Sequence, residues 1–171
     1  MSNVFIKNLI RFISLTLTQI FLLQNVMYYH LSTPLPYILF ILLLPIKTPN
    51  QLLFLLSFVL GLTIDVFYDT IGLHATACTL VGLVRILFLT LTLRQDKYDS
   101  IQTPTLGTMG FKWFFFYAST LTLFHHTILF LFETFNFSEL FHTLLRAIGS
   151  SVFTVILILV YEYMFFSKKV H

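Results

Sequence analysis

The sequence is poor in charge and in cysteine, and each shortage excludes a class of protein. Only 10% of its 171 residues are charged, whereas 57% are hydrophobic and 21 are phenylalanine. Because a water-soluble chain needs more polar surface than this to cover its core, the composition excludes an ordinary soluble domain. The single cysteine, Cys78, cannot form a disulfide within the chain, and its place in an apolar run predicts a small buried side chain.

Basic charge is also too scattered for nucleic acid binding. The formal net charge is +3, but lysine and arginine stand singly or in pairs between apolar runs and form no basic stripe. We therefore expect no nucleic acid partner and interpret the basic residues as topology signals in a membrane protein. The expected surroundings are membrane lipid.

What the sequence does have is six long apolar runs, which predict an all-α integral membrane protein with six transmembrane helices. They form a single polytopic domain over residues 1–171 and cover roughly 5–27, 34–46, 51–69, 73–93, 112–135 and 139–166. The first run is too long for the apolar part of a signal peptide, so we interpret it as a retained helix.

The second run is the weakest of the six. Leu35 to Ile46 covers roughly 18 Å of a hydrocarbon layer roughly 30 Å thick, at 1.5 Å of rise per residue. Three alternatives stay open: the run borrows residues 28–33 to cross, it crosses where the bilayer is thinned or protein shields it, or it re-enters without crossing.

The distribution of basic residues predicts the orientation. With six crossings, every lysine and arginine of the loops and tails falls on one face: Lys7, Arg11, Lys47, Arg94, Lys97, Lys112, Lys168 and Lys169. The positive-inside rule then places both termini in the cytoplasm. If the second run does not cross, everything after Lys47 changes side.

Residues 61–77, GLTIDVFYDTIGLHATA, are the stretch that an apolar composition does not explain. Gly61 and Asp65 lie four residues apart and share a helix face, which indicates a face turned toward protein. Gly72 is the expected turn residue between the third and fourth helices. His74, at the same turn, is expected to cap a helix or to contact a partner.

Three segments resemble the rod-shape-determining membrane protein family MreD: LPYILFILLLP, GLTIDVFYDTIGLHA and LVGLVR, all within residues 34–85. The length, the six runs and the segment from His125 to Glu133 are also similar to that family. The resemblance implies a helical fold like that of the substrate-binding S-components of energy-coupling-factor vitamin transporters. It further implies a multi-pass protein of the bacterial cytoplasmic (inner) membrane, with no catalytic residues and no cofactor.

The resemblance also implies partners. The family belongs to the cell-elongation machinery that builds peptidoglycan along the cell wall. There it binds the single-span membrane protein MreC, and it works indirectly with the MreB filament, the glycosyltransferase RodA and a class B penicillin-binding protein.

Charged residues inside the predicted spans are expected to have partners, because a charge at the bilayer centre costs roughly 2.5–3.5 kcal/mol. Counting residues from the helix ends places Asp65 and Arg146 at similar depth, which predicts an ion pair between the third and sixth helices. The alternative is that both side chains snorkel to the interface. The same count makes Glu162 the candidate partner of Arg85.

His125, His126 and Glu133 suggest a metal site, but the spacing does not favour one. Adjacent histidines on a helix point about 100° apart and cannot both face one ion. His126, Phe130 and Glu133 do share one stripe of the helix, which predicts a buried polar cluster with a structural role.

Three classes of function follow from these patterns. The first is a non-enzymatic subunit of a membrane assembly, which fits the short loops and the resemblance. The second is a vitamin-transporter subunit in which Asp65, Asp69, His74 and Glu139 line an outward pocket, although the first helix lacks the Ala-x-x-x-Ala pattern of many S-components. The third is a membrane enzyme, for which no nucleophile stands at a recognisable spacing from a base. The candidate partner or pocket residues are Gly61, Asp65, Asp69, Gly72, His74, Arg85, His126, Glu133 and Arg146.

Overall fold

The computed structural model describes residues 2–24, 32–93, 102–134 and 140–166, and the regular elements of these segments are helices. Helix α1 covers Ser2–Leu17 and continues as a π-helix over Thr18–Leu23. A 3₁₀ turn at Pro36–Ile38 leads into the short helix α2, Leu39–Leu42. The remaining helices are α3 (Asn50–Tyr68), α4 (Leu73–Thr92), α5 (Leu106–Met109), α6 (Phe111–Thr134) and α7 (Leu140–Phe166). The predicted all-α class is therefore confirmed.

Five helices in the described part of the chain are long and apolar enough to cross a membrane: Val4–Leu23, Asn50–Tyr68, Leu73–Thr92, Phe111–Thr134 and Leu140–Met164. Four of the predicted spans agree with them to within a residue or two at each described end. The end of the first predicted span, residues 25–27, lies outside the described residues.

The long helices from α3 onward alternate in direction. Helices α3 and α4 form one antiparallel hairpin and α6 and α7 another, and α4 packs on α6 between them. Helix α1 runs parallel to α3, since Gln24 at its far end donates to the Phe67 carbonyl at the end of α3 (2.8 Å). We call the end of the bundle that holds residues 69–72 the turn end, and the end that holds the start of α1 the amino end.

The second apolar run does not form a long helix, in contrast to the other five. Pro36 and Pro45 confine it, since proline interrupts the helical hydrogen-bond ladder, and only four residues reach α-helical geometry. Every side chain from Leu35 to Leu44 is buried, so protein encloses this segment. Irregular backbone at membrane depth is tolerated only under such cover.

This central segment runs from the middle of α7 toward the amino end. The Leu35 amide donates to Thr154 Oγ1 on α7 (3.0 Å), whereas the Leu42 carbonyl accepts from the Tyr117 hydroxyl near the start of α6 (3.0 Å). The segment therefore returns antiparallel to α1 and α3. In one of the three alternatives the segment borrows residues 28–33 to cross, and of these residues 28–31 lie outside the described part of the chain.

Candidate functional site

Asp65 near the end of α3 caps the start of α4. Its carboxylate accepts from the backbone amides of His74 (3.0 Å) and Ala75 (2.9 Å), the second and third residues of α4, and from Thr70 Oγ1 (2.5 Å). These amides have no partner inside their own helix, and a carboxylate also complements the positive end of the helix dipole. Asp65 is 3% exposed. The Asp65 carboxylate therefore makes its hydrogen bonds within the turn between α3 and α4.

The glycines of the same stretch complete this turn. A β-carbon on Gly61 would overlap the Ala75 backbone, so only glycine lets α3 approach α4 this closely. Gly72 adopts φ +76°, and Asp69 adopts φ +52°, the left-handed region that favours glycine and tolerates aspartate. Gly61 therefore packs within the chain and is not free for the partner contact that the sequence suggested.

The turn displays two side chains at its tip. Ile71 is 99% exposed and Asp69 is also exposed, while the Asp69 and Thr70 amides both donate to the Asp65 carbonyl. The backbone that carries these two side chains is therefore fixed by hydrogen bonds from within α3. The result is a rigid projection with one acidic and one apolar residue.

Behind the turn, a buried polar cluster is centred on Tyr37 of the central segment. The Tyr37 hydroxyl lies 2.7 Å from His74 Nδ1 on α4 and 3.0 Å from His125 Nε2 on α6. Cys78 Sγ lies 3.8 Å from the same His125 nitrogen. The expectation that Cys78 is buried is confirmed. The hydroxyl of Tyr37 links the central segment to α4 and α6.

His74 thus faces inward and not toward a partner. It is 4% exposed, and its ring packs edge-on against Tyr37 and Tyr68. The Tyr68 hydroxyl accepts a 2.6 Å hydrogen bond from Gln19 Nε2 in the π-helical part of α1. Gln19 also donates to the Pro34 carbonyl, which ties α1 to the central segment.

His126, Phe130 and Glu133 lie along one stripe of α6 that contacts Arg146, but the predicted cluster is buried only at His126 and Phe130, because Glu133 is exposed. The His126 ring packs edge-on against Phe130, and the Arg146 guanidinium lies over the Phe130 ring at 4.1 Å. Arg146 Nη1 pairs with Glu133 Oε2 at 3.1 Å. This ion pair joins α6 to α7 near the turn end of the bundle.

The pairing that we predicted between Asp65 and Arg146 is therefore wrong. Counting depth from helix ends assumed that the ends are level, but they are not. His126 lies 3.3 Å from Thr154, so the level of the polar cluster on α7 is two turns beyond Arg146. Arg146 pairs with Glu133 farther toward the turn end of the bundle, whereas Asp65 binds the start of α4 closer to the amino end.

Arg85 binds carbonyl groups and not the predicted Glu162. It is 1% exposed; its Nη2 donates to the Leu44 carbonyl (2.5 Å) and its Nε donates to the Tyr117 hydroxyl (3.1 Å). Arg11 on α1 likewise donates to the Leu43 carbonyl (3.1 Å). Two arginines therefore hold the carbonyl end of the short helix α2, where the helix dipole is negative.

Glu162 of α7 has a different partner. Its Oε2 accepts from the Leu106 amide (2.8 Å), the first residue of α5. This bond fastens residues 105–110 to α7 at the amino end. Sequence counting missed it because α5 follows a loop with no apolar periodicity.

Sequence reasoning missed three further residues of the site: Gln19, Tyr37 and His125 as members of one cluster. A signal was present for two of them, since Tyr37 and Gln19 are polar groups within otherwise apolar runs. No group of three or more histidine, cysteine, aspartate or glutamate side chains is arranged to hold a metal ion within the described segments.

The chain matches no family model, and neither a curated protein nor a solved structure matches it. The assignment to a class thus rests on the helices: an all-α chain with five helices of membrane-spanning length and composition. The particular family stays a proposal.

Proposed function

We propose that this chain is a non-catalytic subunit of the cell-elongation complex in the bacterial cytoplasmic membrane. In this proposal it binds an MreC-like single-span partner and so supports peptidoglycan synthesis along the cell wall. The MreB filament, RodA and a class B penicillin-binding protein take part through that partner. Both termini lie in the cytoplasm after six crossings.

The observation that carries the proposal is how the 61–77 stretch is used. Gly61 and Asp65 are used to build the turn. At the tip of the turn the stretch exposes Asp69 and Ile71, in addition to the exposed apolar side chains of Leu62, Val66 and Phe67 on the side of α3. Helices in lipid gain no hydrophobic energy from association, so a partner must be held by close packing and polar contacts. A rigid turn with an exposed carboxylate and an exposed apolar group offers both kinds of contact.

The direction of the central segment supports the six-crossing topology. The segment returns from the level of Thr154 to the level of Arg85 and Tyr117, so α3 starts at the same end as α1. Lys7, Lys47 and Lys112 then belong to the amino end, as the positive-inside rule requires for a cytoplasmic face.

The transporter alternative makes a different use of the same residues. It needs Asp65 and His74 to line an outward pocket with Asp69 and Glu139. Asp65 and His74 are buried and hydrogen-bonded within the chain, and Asp69 is exposed beside them, while Glu139 lies outside the described residues. The arrangement therefore favours the partner-binding reading.

Depletion of the chain in a rod-shaped cell tests the proposal. We expect the cells to round up, a wild-type copy to restore the rod shape, and vitamin supplements to have no effect. Ile71→Ser should restore shape poorly, whereas the matched control Leu91→Ser, at an 84% exposed site near the other end of α4, should restore it fully. Normal shape on depletion together with a vitamin requirement would favour the transporter subunit instead.

A further inference from the structure

The outer side of α3 carries a regular series of exposed apolar side chains. The members follow one another at alternating spacings of three and four residues, and each is between 41% and 68% exposed: Leu52, Leu55, Val59, Leu62 and Val66. This is the seven-residue repeat with which one helix packs along another, and we call the series the α3 seam. The opposite side of the helix is buried in the bundle through Leu53, Ser57, Leu60 and Ile64.

The same spacing breaks off on two other long helices. On α1 the series that starts at Ile6 reaches Ile20, which is buried in the π-helical part of that helix. On α7 the series that starts at Phe141 reaches Val155, which is also buried. The α3 seam continues for about 21 Å from Leu52 to Val66, at 1.5 Å per residue, and so covers most of a hydrocarbon layer about 30 Å thick.

The residue types along the α3 seam favour one kind of neighbour. Valine occupies the first position of the repeat at Val59 and Val66, and leucine occupies the fourth position at Leu55 and Leu62. A β-branched residue at the first position with leucine at the fourth favours packing of two parallel helices. Left-handed packing of this kind, with helices crossing at about 20°, is the common arrangement in membranes. The composition of the seam therefore fits a single helix that runs parallel to α3.

The next position of the series is Asp69, at the turn end. Its backbone amide is bonded to the Asp65 carbonyl, whereas its side chain is exposed and has no hydrogen bond or ion pair with the described residues. A carboxylate at the edge of the lipid favours a lysine or arginine partner through a charge-assisted hydrogen bond. A second copy of this chain, packed parallel along the same seam, would instead bring two Asp69 carboxylates together, and like charges repel. The charge therefore favours a different protein.

We propose that one transmembrane helix of another protein packs along the α3 seam, parallel to α3, with a lysine or arginine at the level of Asp69. Helices in lipid are held together by close packing and by polar contacts, and the seam supplies the first while Asp69 supplies the second. This inference rests on the proposed function, which supplies a single-span partner, and it adds the surface that the partner occupies.

Photo-crosslinking in native membranes identifies the occupant of the seam. The full chain carries p-benzoylphenylalanine in place of Leu55 or Leu62, and in matched controls in place of Leu87 on α4 or Ile156 on α7, which are exposed to a similar degree. We expect both seam positions to link to the same single-span protein, through a transmembrane peptide with a lysine or arginine near the turn end, and the control positions not to. Crosslinks from the seam to lipid alone, or to a second copy of this chain, would overturn the proposal.

Variants that keep the fold test the two kinds of contact separately. Val59→Phe enlarges an exposed side chain in the middle of the seam and should lower the amount of co-purified partner about tenfold, because overpacking disturbs a close helix contact. The matched control Leu87→Phe should retain as much partner as wild type. Asp69→Asn should lower the amount by up to about fivefold, as expected for an exposed ion pair, and replacing the partner's basic residue by glutamine should then cause no further loss.

The same measurements separate this inference from the proposed function. If wild type, Val59→Phe and Asp69→Asn all retain the MreC-like partner equally, the α3 seam is not its binding surface, while the proposed function stands. If the wild-type chain retains no single-span protein, both proposals are wrong. Loss of the partner in Val59→Phe but not in Leu87→Phe supports both.

Discussion

Replacement of Asp65 tests how the turn between α3 and α4 is built. Asp65→Asn keeps one acceptor oxygen but turns an NH₂ group toward either the His74 or the Ala75 amide, so one buried amide loses its acceptor. An unsatisfied buried donor costs about 1–3 kcal/mol, so we expect a loss of about 2 kcal/mol. Asp65→Ala removes both acceptors and should cost about twice as much.

The assay is thermal unfolding of the purified chain in detergent. In a chain of this length 1 kcal/mol corresponds to about 2–4 °C, so Asp65→Asn should lower the Tm by about 4–8 °C. The matched control is Asp69→Asn, four residues later in the same turn but with an exposed side chain, which should change the Tm by less than about 2 °C. Equal Tm values for the two variants would refute the capping role of Asp65.

Further substitutions test the other contacts by the same assay. Gly61→Ala should destabilise the chain by at least about 3 kcal/mol because the new β-carbon meets the Ala75 backbone. Gly107→Ala, whose β-carbon would lie 4.0 Å from Thr105 Oγ1 in ordinary contact, should have little effect. Arg85→Met should cost about 1–3 kcal/mol by leaving the Leu44 carbonyl without a donor, and Arg85→Lys should recover only part of it. A double-mutant cycle should show coupling of about 0.5–1 kcal/mol between Glu133 and Arg146 and none between Asp65 and Arg146; the reverse pattern would contradict the observed ion pair.

The sequence predicts the long helices well, because the thickness of the bilayer fixes the length of the apolar run that a crossing helix needs. A helix that crosses a bilayer needs about 20 apolar residues, so its ends are marked by the first polar or turn residues on each side. Asn50, Gly72 and Lys112 are such markers, and the observed helix ends lie at or next to them. The sequence of the second run already indicated that it differs, since two prolines and only twelve residues leave little room for a spanning helix.

The partners of the buried charges could not be predicted in the same way. Depth counted from the helix ends pairs any two charges that lie equally far from those ends. The helix ends are not level in this bundle, so the count pairs the wrong residues. Arg85 bonds to carbonyls that become available only because α2 ends early, which no periodicity reveals. The capping role of Asp65 was easier to predict, because α4 starts at a glycine that offers no capping side chain of its own.

Co-purification from native membranes tests the central claim most directly. The tagged wild-type chain should bring down an MreC-like single-span protein, the Ile71→Ser variant should retain markedly less of it, and the Leu91→Ser control should retain as much as wild type. Purification of the wild-type chain without any such partner, but with a small molecule whose addition raises the Tm, would contradict the account.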